Sequence, residues 1–183
     1  MKLSLNEMSE IMKKPLLIVD GYNMIGAWPE LVQLKNKNLM EDAREDLLQS
    51  LSNYAKYEKL PVIVVFDAQF VPGITQNYDK YELEVVFTEE GETADSYIER
   101  IAGELNDVMT QVSVATSDLA EQWVIFSQGA LRVPARELQK TVQKTEEAIE
   151  RKQESIKYAN YRRNSPWNEE QLKELAEKLK ELS

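Results

Sequence analysis

The sequence predicts an α/β fold: a mostly parallel sheet covered by helices on both faces, with a helical C-terminal extension. Three observations point there. Several short apolar runs of strand length are bounded by Pro, Gly or Asp, and are apolar at consecutive positions, as in strands buried on both sides. Stretches with helical spacing alternate with these runs, an order that favours parallel pairing through crossover helices. The chain has 183 residues, 43% of them hydrophobic and 30% charged, which suits one domain with a single core.

The elements follow in order. The first fourteen residues carry Glu7 and Glu10 and no apolar block, so they read as a short extension and not as a secretory signal. Pro15 opens the run Leu16 to Val19, which ends at Asp20-Gly21 and reads as a buried strand with a turn after it. From about Glu41 to Lys59, Ala43, Leu47, Leu51, Tyr54 and Ala55 recur on one helical face, and Pro61 ends that helix. Val62 to Phe66 is a second buried strand, ending at Asp67. Residues 68–83, with Pro72-Gly73, read as a surface loop.

Val85 to Phe87 predicts a third strand and Glu89-Glu90-Gly91 a turn. Thr93 is placed to cap a helix running through Leu105. Val112 to Ala115 is a fourth strand, running into Thr116-Ser117-Asp118. A helix is expected over Leu119 to Phe126, closed by Gly129, followed by a short fifth strand near Leu131 to Val133. Pro134 fits the first turn of a long helix over about 135–160. Ser165-Pro166 breaks it, and a last helix is expected from Asn168 to Leu182.

Composition removes much of the enzyme repertoire. The chain has no Cys and no His, which excludes thiolate and imidazole catalysis, Cys/His zinc sites and disulfides. Carboxylate chemistry remains, alone or through an oxygen-ligated metal. The absence of Cys suits a reducing, cytoplasmic setting. No apolar run approaches the ~18 residues of a membrane span, so no membrane association is expected. The net charge is −10, but residues 131–163 hold nine basic residues against five acidic ones, a stretch of +4. The remainder, at −14, repels phosphate and anionic surfaces.

Three predicted strands end directly in acid, at Asp20, Asp67 and Asp118, and Asp95 lies in the first turn of the helix after the third strand. A parallel sheet carries all of these to one edge, where open α/β sheets bind ligands. Singly, each has a structural explanation: a turn residue, a strand-end acceptor, a helix-dipole partner, an N-cap. Together they repel one another and raise each other's pKa. A hard divalent cation such as Mg²⁺ or Mn²⁺ relieves that repulsion and can promote phosphodiester hydrolysis. Asn23 can orient a carboxylate or shape the turn, and Ser117 stands where it could help. Other motifs fail. Gly21 and Gly26 have phosphate-loop spacing but precede Ala27-Trp28, there is no Gly-x-Gly-x-x-Gly, and Asp20-Gly-Tyr-Asn lacks the second Asp of aspartyl-phosphate hydrolases.

The blocks Leu17-Ile-Val-Asp-Gly-Tyr-Asn-Met-Ile-Gly-Ala-Trp28, Val64-Val-Phe-Asp-Ala68, Val86-Phe-Thr-Glu-Glu-Gly-Glu-Thr-Ala-Asp-Ser-Tyr-Ile-Glu99, Ala115-Thr-Ser-Asp118 and Ser127-Gln-Gly-Ala-Leu-Arg-Val133 occur in order. Together they resemble the YacP family of NYN-domain nucleases, part of the PIN-like group, over roughly residues 15–165. The resemblance implies a PIN-like three-layer α/β/α sandwich with a mostly parallel central sheet, organised as an extension (1–14), an NYN nuclease domain (15–152) and a C-terminal helical extension (153–183). It also implies a metal-dependent endoribonuclease acting on mRNA at the ribosome; attack of metal-activated water on phosphorus would leave 5′-phosphate and 3′-hydroxyl ends. The family's metal-site acids fall on Asp20, Asp95 and Asp118, with Mg²⁺ or Mn²⁺ as the implied cofactor. Asp67 matches its block as a ligand or a supporting acid, and Asn23 as the small polar residue after the first acid.

RNA contact needs positive charge, and the +4 stretch offers Arg132, Arg136, Lys157, Tyr161, Arg162 and Arg163, with Tyr158 interleaved. Aromatic rings beside Arg stack on unpaired bases, at ~1–3 kcal/mol each. A mixed-charge helix can equally be a solvated face, with Tyr158 and Tyr161 packed on a core. An overall −10 argues for weak affinity toward free RNA, with the ribosome supplying further contacts. Two other readings stay open: a catalytically silent RNA- or ribosome-binding module of the same fold, and a phosphotransfer enzyme acting on small phosphate esters.

Overall fold

The structure, a computed structural model, describes residues 13–68, 78–118 and 129–164, together with residues 170, 171, 173, 174, 177 and 178. The chain runs β1 (Lys14–Asp20), α1 (Gly21–Ala27), α2 (Pro29–Asn36), α3 (Met40–Glu58), β2 (Val62–Phe66), β3 (Glu84–Phe87), α4 (Ala94–Leu105), β4 (Thr110–Thr116), β5 (Leu131–Pro134) and α5 (Ala135–Asn164). The five strands form one sheet in the order β3-β2-β1-β4-β5, and every pair is parallel. The expected α/β architecture is therefore present.

Side-chain alternation along the strands builds a core on each face of the sheet. Leu17 and Val19 point to one face, with Val62, Val64 and Phe66 of β2. There Met24 and Ile25 of α1, Leu31 of α2, Leu47, Leu48 and Leu51 of α3, and Leu138 and Val142 of α5 cover them. Ile18 and Val65 point to the other face, with Val112 and Val114 of β4, under Ile98, Ile101 and Ala102 of α4. These runs are apolar at consecutive positions because both faces are covered.

The chain steps outward from β1 to β2 and β3, then returns to place β4 on the other side of β1. The strand order reverses between β1 and β4, so a crevice opens beyond their carboxyl ends. Val19 lies beside Val64 and Ala115, and Asp20 beside Val65, so β1 delivers Asp20 to that edge.

Two helices, α1 and α2, follow Asp20, where the sequence predicts a turn at Asp20-Gly21 and no helix before about Glu41. Asp20 itself caps α1, so the helix begins at the strand's last residue with no loop to announce it. At seven residues α1 is too short for a helical period to show. Trp28 separates it from α2, with Pro29 in the α2 first turn. The indole Nε1 of Trp28 donates to the Ala135 carbonyl at 3.0 Å, tying this junction to the start of α5.

The long helix reaches Asn164, a turn beyond its expected end. The chain divides into two compact units, residues 1–146 and 147–183. In the second unit the α5 side chains described from Glu150 to Tyr161 are exposed. The helix expected over 119–126 lies outside the described residues. Of the helix expected over 168–182, only the six described positions are seen, and all six are helical. No helix among the described residues is long and apolar enough to cross a membrane.

Candidate active site

Asp20 is the anchor of the site. It ends β1, caps α1, and is 3% exposed. Its Oδ1 accepts from the Asn23 backbone N–H at 3.0 Å and its Oδ2 accepts from Asn23 Nδ2 at 2.8 Å. The Ser117 hydroxyl donates in turn to Asn23 Oδ1, linking the end of β4 to the start of α1. Ser117 and Asn23 thus form a chain of donors ending on the Asp20 carboxylate across the strand-order reversal, and the carboxylate is held rigidly.

Gly21 makes this placement possible. A Cβ built there would lie 2.2 Å from the Phe66 ring. That ring is fully buried and held between Tyr22, edge-on at 5.2 Å, and Phe87, stacked at 5.5 Å. The helix can start against β2 only because residue 21 has no side chain.

The remaining acids are set by local capping. Thr93 accepts from the Ser96 N–H at 3.2 Å and starts α4, which puts Asp95 in the first turn near the positive end of the helix dipole. Thr88 fastens the ends of β2 and β3: its N–H donates to the Phe66 carbonyl and its Oγ1 accepts from the Ala68 N–H, fixing the backbone around Asp67. The Asp118 N–H turns back onto Thr116 Oγ1 at 3.1 Å.

These residues line a cleft of about 400 Å³ made by Asp20, Tyr22, Asn23, Gly26, Asp67, Thr93, Ala94, Asp95 and Ser117. Of the acids expected at the sheet edge, the structure brings Asp20, Asp67 and Asp95 into one cleft, with Asn23. Asp118 is not among the lining residues. It stands at the exposed mouth of β4, and its charge reaches Asp95. Among the described residues no three carboxylates close on one point as a complete cation cage would.

Electrostatics mark the cluster. Burial pushes the Asp20 carboxyl up; its two bonds from Asn23 pull it back down, and the charge of Asp95 adds to the rise. Asp95 is also raised, by burial first and then by Asp118 and Asp67. Tyr22 is raised by burial, against the opposing pull of Arg44.

The donor set fits a hard divalent cation. It consists of oxygen ligands only, neighbouring carboxylates add to the rise at Asp20 and Asp95, and Mg²⁺ is commonly held by one or two carboxylates while keeping several waters.

Arg132 and Arg136, two of the residues expected to meet RNA, are not among those lining this cleft. Arg132 is exposed on the edge strand β5, and Arg136 is exposed in the first turn of α5. Lys157 is exposed, as are Tyr158 and Tyr161 at 66% and 64%, so neither ring packs on a core. The side chains of Arg162 and Arg163 lie outside the described residues. Sequence reasoning did not single out Tyr22 or Arg44, and had placed Thr93 only as a cap.

Known proteins are similar to this chain in sequence and fold. The model of the YacP-like NYN domain matches residues 17–180. YacP of Bacillus subtilis (strain 168) is 52% identical over 141 residues, covering 77% of this chain and 82% of that protein. The crystal structure of Rae1 (YacP) from Bacillus subtilis aligns with a TM-score of 0.70 and 50% identity, over 80% of this chain and 85% of that one. A mutant of the same protein aligns at 0.68 and 51%, over 78% and 82%. With the family model spanning most of its length, the chain belongs to the YacP-like NYN domain family.

Proposed function

We propose that the protein is a Mg²⁺- or Mn²⁺-dependent endoribonuclease that cuts mRNA in the cytoplasm, in association with the ribosome. Membership of the NYN family, a PIN-like nuclease fold, supports a nuclease, RNA-related function. The observation that carries the finer reading is the cleft at the strand-order reversal, where Asp20, Asp67 and Asp95 converge and burial and mutual charge raise Asp20 and Asp95.

In this reading Asp20, Asp95 and Asp118 would hold the cation and Asp67 would support them. When bound, such a cation supplies Lewis acidity to a phosphodiester and makes water a stronger acid. Asn23 fixes both oxygens of Asp20, and Ser117 fixes Asn23. Asp20 is almost wholly buried, so water screens its charge less than it screens a surface carboxylate's. Arg132, Arg136, Lys157, Tyr161, Arg162 and Arg163 are the proposed RNA contacts. Because the chain as a whole is at −10, the ribosome supplies the remaining affinity.

The test is cleavage of a defined mRNA, with and without ribosomes, in Mg²⁺ or in EDTA, beside a small phosphate ester. The expected result is internal cuts bearing 5′-phosphates in Mg²⁺, intact RNA in EDTA, no turnover of the ester, and co-sedimentation with ribosomes at low salt. Turnover of the ester alone would move the activity to small substrates. Intact RNA in every arm would leave a binding module.

A further inference from the structure

The side chains of Arg44 and Tyr22 form a pair beside the acids, and the backbone N–H of Tyr22 also supports the Asp20 carboxylate. Arg44 shares the buried face of α3 with Ala43, Leu47, Leu48 and Leu51, and is itself only 9% exposed. Its Nη1 donates to the Tyr22 phenol oxygen at 3.3 Å, and its Nε is buried with no hydrogen-bond partner among the described residues. A guanidinium in this position is expensive, and an apolar side chain of similar size is often tolerated as well or better. Packing alone therefore does not account for it.

Tyr22 is where the pair meets the cleft. It lines the cleft beside Asp20, Asn23 and Asp67. Phe66 holds its ring edge-on, and Arg44 holds its oxygen. With the ring fixed at one end and the oxygen at the other, the phenol has a single position. Since the oxygen accepts from Arg44, its own O–H is directed away from the guanidinium.

We propose that Tyr22 is a substrate-binding residue, its phenol hydrogen-bonding to the sugar-phosphate backbone of RNA in the cleft, and that Arg44 is a positioning residue that holds Tyr22 for this contact. The inference rests on the nuclease reading and adds a residue to its binding surface. Tyr22→Phe keeps the ring and its contact with Phe66 while removing the oxygen. In steady-state cleavage of single-stranded RNA by the full chain in Mg²⁺, it is expected to raise KM about tenfold with kcat little changed. Its Tm is expected to fall, because a buried guanidinium N–H loses its acceptor, so KM is read well below the melting transition. Arg44→Met is expected to raise KM similarly with Tm unchanged or higher, and the double variant to have a KM no higher than Tyr22→Phe alone.

A wild-type KM in Tyr22→Phe overturns the proposal and leaves the nuclease reading standing. An Arg44→Met variant that loses Tm while keeping its KM makes Arg44 a packing residue and overturns its positioning role. A wild-type protein that neither cuts RNA nor retains it in filter binding overturns the proposal and the nuclease reading together.

Discussion

Asp20→Asn is expected to reduce RNA cleavage by about 10³-fold, the scale of losing one preorganised electrostatic group, while leaving the protein at least as stable as wild type. Asn can still cap α1 through its oxygen. Its amide can donate to Asn23 Oδ1, and Asn23 Nδ2 can donate to Ser117, so the chain of hydrogen bonds reverses direction without a gap. The charge is what disappears. Because burial raises the Asp20 pKa above its ordinary value of 3.8, the folded state holds this proton more tightly than the unfolded state. Its stabilising contribution is therefore present below about pH 3.8 and is lost as pH rises through the raised folded-state value. At neutral pH the buried charge opposes folding. Thermal melts should show Asp20→Asn matching or exceeding the wild-type Tm at pH 7, with any advantage shrinking below pH 4. A variant that melts well below wild type at pH 7 would show that the carboxylate supports the fold.

Gly21→Ala is expected to damage both stability and activity. The added methyl would lie 2.2 Å from the Phe66 ring, which is confined by Tyr22 and Phe87 and sits at 0% exposure. Overpacking of this kind costs about 1–3 kcal/mol, which corresponds to several degrees of Tm for a domain of this size. The strain falls on the first residue of α1, so the helix that carries Asn23 must shift with it. Cleavage should fall at least as steeply as it does in Asp20→Asn. Adding Phe66→Leu to Gly21→Ala frees the space and should recover part of the Tm. If Gly21→Ala behaves as wild type in urea unfolding and in cleavage, the close approach of α1 to β2 is not needed.

The strands and their acids were legible because a run apolar at consecutive positions that stops at Asp is visible in one dimension. Leu16 to Val19, Val62 to Phe66 and Val112 to Ala115 are all seen as strands. Thr93 announced α4 because a capping side chain and its helix are adjacent in sequence. The first helix was hidden for the opposite reason: Asp20 serves strand, cap and site at once. Arg44 was hidden by its neighbours, since an arginine flanked by Glu41, Asp42, Glu45 and Asp46 reads as part of a solvated face. Its burial depends on the approach of Tyr22 from a different helix. Asp118 shows how far spacing can carry a site: its strand ends where expected and its charge reaches Asp95, but its side chain is not among those lining the cleft.

Asp20 and Asp95, from separate elements of the sheet edge, are proposed to act on one hard cation. Calorimetric titration of Mn²⁺ into the full chain at pH 7 tests this directly, with Asp20→Asn, Asp95→Asn and the exposed control Glu137→Gln. Saturable uptake is expected for wild type and control, weakened about tenfold or more in each aspartate variant. Isotherms for Asp20→Asn and Asp95→Asn that overlay the wild type would contradict it.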